Sequence, residues 1–161
     1  IPDERPKVGT FEAHLQEVEK DFWGRRFKVY AQRKKDWWEH YLRTGGFDMF
    51  TGFRCEGVFN RKEVVNYRIQ GPAAHCLLWC LIEMVRWLRK KKMRSVIVGN
   101  IHDSLIGDVY EDEYDEFIGM ARELMTRLLP GRYEWIIVPL DVEVEAAEVG
   151  ESWADKKKVD V

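Results

Sequence analysis

Residues 93–110 read MRSVIVGNIHDSLIGDVY, two apolar runs separated by a polar interruption. Half of the residues in the runs at 93–98 and 105–110 are Val, Ile or Leu, and the second run ends in Tyr110, a composition that favours strands. Residues 100–104 between them are polar enough to form a turn. The pattern predicts a β-hairpin with His102 and Asp103 at or beside its turn.

A long helix is predicted before this hairpin, over residues 67–92. One set of its apolar residues recurs at spacings of four, four, four and three, which is the period of a single helical face: Ala73, Leu77, Leu81, Val85 and Leu88. A second apolar stripe follows the hairpin over residues 112–128 and ends at Pro130-Gly131. We expect each helix to bury one side.

Shorter elements complete the chain. Residues 10–22 and 27–42 have helical patterns, Thr51-Gly52 predicts the turn of a first hairpin, and residues 135–144 alternate as a strand does. Pro2 and Pro6 indicate that the first nine residues form an extended lead-in. The lysines at 156–158 indicate a frayed, solvated tail. This order predicts an α+β fold in which a mostly antiparallel sheet is covered on one face by helices.

Composition indicates one folded domain. The 161 residues are 45% hydrophobic, and no apolar run reaches the roughly 20 residues that span a bilayer. No signal peptide opens the chain, so we expect no membrane partner and a cytoplasmic location. The three cysteines form no CxxC pair, and Cys76 and Cys80, four apart on a predicted helix, are expected to be buried thiols in a reducing compartment. Ile1 is not a methionine, which predicts a processed or trimmed chain.

The charges are unevenly distributed. Residues 1–100 carry 20 Lys and Arg against 12 Asp and Glu, and residues 101–161 carry 6 against 16. The basic half includes Arg25, Arg26 and the run 33–35, which could neutralise phosphates. The alternative interpretation is a set of solvated helix faces.

Asp103 is the candidate for chemistry. A carboxylate projecting from the tip of a hairpin, held by apolar strands, is a suitable metal ligand. The alternative interpretation is that an aspartate at a turn serves its local hydrogen bonds.

Four segments in order extend this hypothesis. Residues 66–74 read NYRIQGPAA, His102-Asp103-Ser104 follows one helix and one strand later, and residues 138–144 (VPLDVEV) precede Gly150-Glu151-Ser152-Trp153. Over roughly residues 27–156 the chain resembles the palm end of family A (DNA polymerase I-like) DNA polymerases. That family has Asn-x-x-x-Gln-Gly-x-Ala-Ala, then His-Asp in the hairpin called motif C, then a Pro-Leu strand and a Gly-x-x-Trp terminus.

The resemblance implies roles for six residues. Asp103 corresponds to the metal-binding aspartate and His102 to its neighbour near the primer terminus. Asn66 and Gln70 correspond to residues that reach the minor groove of the template-primer, and Lys62 stands where the family often has arginine. Arg54 resembles the arginine of the family's Gly-Arg hairpin. The structural alternatives are that Asn66 caps a helix and that the Gln70 side chain only forms hydrogen bonds with the backbone.

The sequence also departs from the family pattern. Ser104 stands where bacterial enzymes usually have glutamate, and His-Asp-Ser also occurs in single-subunit RNA polymerases. Neither the second palm aspartate (motif A) nor the fingers helix with Arg and Lys for the triphosphate (motif B) is found. Asp108 is expected to be structural or solvated, because the resemblance gives it no catalytic role.

The resemblance therefore implies an enzyme that is active only with a partner. The expected partner is a polymerase chain carrying motifs A and B, and the two chains would share two Mg²⁺ ions, primer-template DNA and dNTP. Residues 1–26 are expected to be a lead-in or the end of the fingers region, and residues 27–161 the C-terminal palm portion. A split polymerase of bacteriophage origin fits this arrangement.

Two other hypotheses remain. One is the corresponding fragment of a single-subunit RNA polymerase, distinguished by incorporation of ribonucleotides. The other is a non-catalytic palm-like protein that binds nucleic acid or assists assembly.

Overall fold

The computed structural model describes residues 8–159. The chain divides into two compact units, the first formed by Ile1–Met49 with Phe53–Arg68 and the second by Phe50–Gly52 with Ile69–Val161. The predicted lead-in with Pro2 and Pro6 lies outside the described residues for its first seven positions.

Helices account for most of the described chain. The α-helices are α1 Phe11–Asp21, α2 Lys28–Thr44, α3 Arg61–Lys91, α4 Tyr114–Glu123 and α5 Leu129–Arg132. Short turns of π-helix occupy Phe22–Arg26 and Leu124–Leu128, and turns of 3₁₀-helix occupy Glu111–Glu113 and Trp153–Asp155. No helix within residues 8–159 has the combination of length and apolar character that crossing a bilayer requires.

The strands pair in three antiparallel hairpins or ribbons. These are β1 Gly46–Asp48 with β2 Arg54–Glu56, β3 Val96–Ile101 with β4 Ser104–Asp108, and β5 Val144–Ala146 with β6 Lys157–Val159. The α+β class and the antiparallel pairing are confirmed, although the described strands form separate two-stranded sheets and not one sheet.

The first unit is organised around a buried tyrosine. Tyr41 on α2, Phe47 on β1 and Val64 on α3 form its core. The Tyr41 hydroxyl donates to the carbonyl of Gly57 (2.9 Å) and accepts from the amide of Phe59 (2.8 Å). These two bonds attach the chain between β2 and α3 to the core.

The core of the second unit lies between α3 and the α4 region. Met84 and Leu88 pack with Phe117 and Leu124, and a second cluster joins Cys76 and Cys80 to Leu129. The predicted burial of these two thiols is confirmed, and burial raises the pKa of Cys80 to about 11.

The N-terminal end of α3 is fixed by reciprocal capping bonds. The Asn60 side chain accepts from the amide of Glu63 (3.0 Å), and the Glu63 carboxylate accepts from the amide of Asn60 (2.7 Å). The helix therefore begins six residues earlier than predicted and continues through Pro72.

The other end of α3 is a Schellman motif with an unfavourable residue at its left-handed position. The amide of Met93 bonds the carbonyl of Leu88 (3.0 Å), and the amide of Lys92 bonds that of Arg89 (3.1 Å). Lys92 has φ 59°, a conformation that costs L-residues about 1 kcal/mol or more.

Replacing Lys92 with glycine is expected to stabilise the protein by about 1 kcal/mol, because glycine adopts positive φ without that cost. Denaturant unfolding measures the change. The control is Lys90→Gly within α3, which is expected to destabilise by about 1 kcal/mol. Loss of stability in both variants would contradict the prediction.

Two predictions about the C-terminal region were wrong. Most of the predicted strand at 135–144 lies outside any strand, and only Val144 belongs to β5. The predicted frayed tail is instead β6, in which Lys158 Nζ bonds the Glu143 carboxylate at 2.8 Å.

Candidate metal-binding hairpin

The β3–β4 hairpin has a two-residue turn formed by His102 and Asp103. Ile101 pairs with Ser104 across this turn, and both turn residues are exposed. His102 has φ 51°, which non-glycine residues adopt uncommonly. The turn thus exposes Asp103 to solvent at the end of a paired ladder.

The hairpin packs against the helices of the second unit on one face. Ile97 and Val109 contact the cluster that contains Phe117, and Leu105 contacts the cluster of Cys80 and Leu129. The ladder contains a register shift between Ile97 and Gly99, a β-bulge that bends the strand. These contacts fix the body of the hairpin while its tip stays open.

A glycine permits the closest of these approaches. A Cβ on Gly107 would lie 2.6 Å from Cζ of Phe117 and 3.1 Å from its Cε1. The Phe117 side chain is only 5% exposed, so the ring has little room to move away. The distance between β4 and α4 therefore requires glycine at position 107.

Glu113 clamps the base of the hairpin. Its carboxylate accepts from the amides of Arg94 (3.0 Å) and Ser95 (2.8 Å) and from the Ser95 hydroxyl (2.5 Å). That hydroxyl in turn accepts from the amide of Tyr110 at 3.0 Å. One carboxylate thereby ties the chain entering β3 to the chain leaving β4.

These donors change the acidity of the clamp. The Arg94 amide, followed by the Ser95 hydroxyl, lowers the pKa of Glu113 to about 2. An unfolded glutamate titrates near 4.3. The clamp therefore stabilises the fold fully above about pH 4.3, and that contribution is lost as the pH falls through about 2.

We expect Glu113→Gln to have a lower melting temperature than the unmodified chain at pH 7, with a difference that shrinks between about pH 4.3 and pH 2. Circular dichroism melts across this range measure it. Glu111→Gln, the same chemical change on an exposed side chain two residues away, is expected to leave the melting temperature nearly unchanged. A pH-independent difference for Glu113→Gln would contradict the role of ionisation.

Three of the other predicted site residues lie on α3. Lys62, Asn66 and Gln70 are exposed and follow one another at intervals of four, so they share one helical face. The capping bonds of Asn60 fix the start of the helix that carries them. This face displays a cation and two amides, which are hydrogen-bond donors suited to minor-groove acceptors.

Arg54 on β2 is engaged within its own hairpin. It bonds Glu56 (2.8 Å) and Asp48 (3.3 Å), and these bonds, that to Glu56 first, raise the pKa of its guanidinium. Its side chain is 44% exposed. A DNA phosphate would therefore have to compete with two carboxylates for this arginine.

Asp103 fits one part of a magnesium site. Its carboxylate oxygens are the hard ligands that Mg²⁺ prefers, with waters and substrate phosphates completing the shell. Among residues 8–159, however, no three side chains of His, Cys, Asp or Glu lie together so that they could hold a metal ion. Asp103 is thus not part of a ready-made set of three or more metal ligands among these residues.

Sequence reasoning missed the elements that support the hairpin. Glu113 and Ser95 are 18 residues apart and Gly107 and Phe117 are ten apart, and neither pair forms a periodic pattern. The signal available for Gly107 was a glycine inside an apolar strand, which often marks a close approach.

A family model described as DNA polymerase family A matches residues 53–155. DNA polymerase I of Chloroflexus aurantiacus is 32% identical over 92 residues, covering 57% of this chain and 9% of that protein. The DNA polymerase of Bacillus phage SP01 is 33% identical over 96 residues, covering 58% and 10%. DNA polymerase I of Bacillus subtilis is 28% identical over 99 residues, covering 62% and 10%. This chain spans about a tenth of the length of these relatives.

Among solved structures, the POL domain of Pol1 from M. smegmatis, in complex with DNA primer-template and dNTP, has a similar fold. The TM-score is 0.62 at 22% identity, over 71% of this chain and 22% of that chain. All six predicted site residues fall within the segment matched by the family model.

Proposed function

The chain belongs to DNA polymerase family A, and from this premise we propose that it supplies the motif C aspartate, Asp103, to template-primed DNA synthesis. In this proposal residues 27–161 are a C-terminal palm portion and residues 1–26 the end of the fingers region. The observation that carries it is a solvent-exposed carboxylate at the tip of a hairpin whose base and body are fixed.

The reaction is transfer of a nucleotide from dNTP to the 3′ hydroxyl of a primer. When bound, two Mg²⁺ ions would supply activation of the hydroxyl and stabilisation of the leaving pyrophosphate. Asp103 would hold them together with an aspartate of another chain or segment. His102, the neighbour of Asp103 in the turn, would lie beside the primer terminus, as the resemblance to the family implies.

The α3 face would contact the minor groove of the template-primer duplex. Minor-groove acceptors are nearly the same for every base pair, so Lys62, Asn66 and Gln70 could test pair geometry without selecting a sequence. Arg54 would add a cation once it leaves its carboxylate partners. Support for these roles is the exposure and the shared face of the three α3 residues.

A partner completes the proposed enzyme. Since Asp103 belongs to no cluster of three or more possible metal ligands among residues 8–159, we expect a polymerase chain that carries a second aspartate and a fingers helix with Arg and Lys. A split replicative polymerase encoded by a bacteriophage is the arrangement we favour, supported by the likeness to the phage SP01 DNA polymerase.

Reconstitution tests the proposal. We expect the purified chain alone to extend no primer, and its mixture with the partner chain to incorporate deoxynucleotides in the presence of Mg²⁺. Incorporation of ribonucleotides instead would indicate a fragment of a single-subunit RNA polymerase. Binding of primed DNA without incorporation, whatever partner is added, would indicate a non-catalytic palm-like protein.

A further inference from the structure

A row of aromatic rings in the first unit runs from the π-helical turn Phe22–Arg26 along α2. Trp23, Tyr30 and Trp37 recur every seven residues, with ring centroids 6.0 Å and 6.4 Å apart. All three side chains are half-buried, so each leaves part of its ring open to solvent. We call these three residues the aromatic row.

Cations accompany the rings. Lys34 Nζ lies 3.3 Å from the centroid of Trp23 and 5.2 Å from that of Tyr30, and the Arg68 guanidinium lies 5.4 Å from Trp37. Such contacts hold a cation beside an aromatic face and keep both side chains in a defined position. The row is therefore a preformed surface of aromatic rings and positive charge.

The π-helical turn and α2 together carry an excess of positive charge. Residues 22–44 contain seven Lys and Arg against two Asp and Glu. Arg25 and Arg26 pair with Asp21, whereas Lys28, Arg33 and Lys35 form no ion pair with any described residue. Unpaired cations on one helix concentrate positive potential, which attracts polyanions.

We propose that the aromatic row binds single-stranded nucleic acid together with Lys28, Arg33 and Lys35. We call these three cations the basic flank. Surfaces of this kind combine aromatic side chains, on which unstacked bases lie, with cations that follow the phosphates. The bases of a duplex are stacked inside it and cannot lie on the partly exposed rings. A duplex would therefore interact with this surface only through charge. A protein partner would not require the unpaired cations.

This binding site extends the proposed function without depending on it. The row lies before residue 53, outside the segment that the family model matches, and the proposal involves neither Asp103 nor any metal. The preceding helix α1 carries four acidic side chains against one lysine, which would direct a strand along α2 and away from α1.

Fluorescence anisotropy with a labelled thymidine oligonucleotide of about 16 nucleotides tests the site on the 161-residue chain. Trp23→Ala combined with Tyr30→Ala is expected to weaken binding at least about tenfold. Trp37 is left in place because it packs against the core of the first unit. Unchanged affinity in a variant whose circular dichroism shows it folded would overturn the proposal.

Neutralising two cations of the basic flank tests their contact with phosphates through the salt dependence of the affinity. Arg33→Gln with Lys35→Gln is expected to reduce the slope of log affinity against log salt by about 1.4, the value for two phosphate contacts with a single strand. The matched control, Arg89→Gln with Lys90→Gln, removes the same charge from exposed residues near the end of α3 and is expected to leave the slope unchanged.

Three outcomes would refute the proposal. An equal loss in the α3 control would mean diffuse electrostatic attraction, and tighter binding of a duplex of the same length would mean recognition of double strands. Absence of binding at low salt would exclude the site. None of these outcomes involves primer extension, so they are separate from a failure of the polymerase proposal.

Discussion

Asp103→Ala is expected to lower nucleotide incorporation by the reconstituted polymerase at least about 10³-fold, with little change in the affinity for primed DNA. The carboxylate would stabilise charge at the reacting phosphate through the metal ions, whereas most DNA affinity comes from phosphate contacts elsewhere. Single-turnover primer extension measures the rate, and anisotropy measures binding.

The control for this variant is Asp108→Ala. Asp108 lies at the other end of β4, is also exposed, and pairs with Val96 in the ladder. We expect the Asp108 variant to retain incorporation within about threefold, as for a surface substitution away from the reacting atoms. Equal losses in the two variants, or none in either, would contradict the assignment of Asp103.

Gly107→Ala is expected to destabilise the protein by about 2 to 3 kcal/mol, because the added methyl group would overlap the Phe117 ring. The overlap involves a buried ring and Val109 Cγ2 at 3.2 Å, so relief requires the hairpin to move away from α4. Urea unfolding measures the change. Incorporation by the reconstituted enzyme is expected to fall as well, since the hairpin carries Asp103.

Two further variants separate this overlap from a general effect of alanine in the hairpin. Gly99→Ala adds the same methyl group on β3, where nothing lies within 4 Å, and is expected to cost less than about 1 kcal/mol. Phe117→Leu is expected to restore part of the stability lost in Gly107→Ala. A Gly99→Ala cost as large as that of Gly107→Ala would contradict the packing argument.

The elements predicted well were those whose signal is local. The long helix α3 and the hairpin tip at His102 and Asp103 each follow from a period or a turn pattern within one segment. The wrong strand at 135–144 shows the limit of such signals. Its alternation is genuine, but Ile136 and Leu140 pack on the cluster of Leu129 while Ile137 is 89% exposed, so no partner strand is involved.

The sequence proposes residues for the candidate site but does not reveal the contacts that support them. Asp103 is proposed from its turn and from the order of the flanking segments. In the sequence Glu113 is one of three consecutive acidic residues before a helix. Only the fold brings its carboxylate within hydrogen-bonding distance of the Ser95 amide. Long-range contacts of this kind leave no periodic trace in a single sequence.

The direction of the hairpin is set at its base, which acts as the pivot, by the Glu113 clamp and along its body by packing on the helices. Six residues of β3, at about 3.4 Å each, give an arm of about 20 Å, so an angular play of about three degrees at the pivot moves the far end by about 1 Å. Displacements of that size are enough to cost about 10²-fold in rate. Side chains that never meet a substrate would thereby govern the accuracy with which an acidic group is aimed.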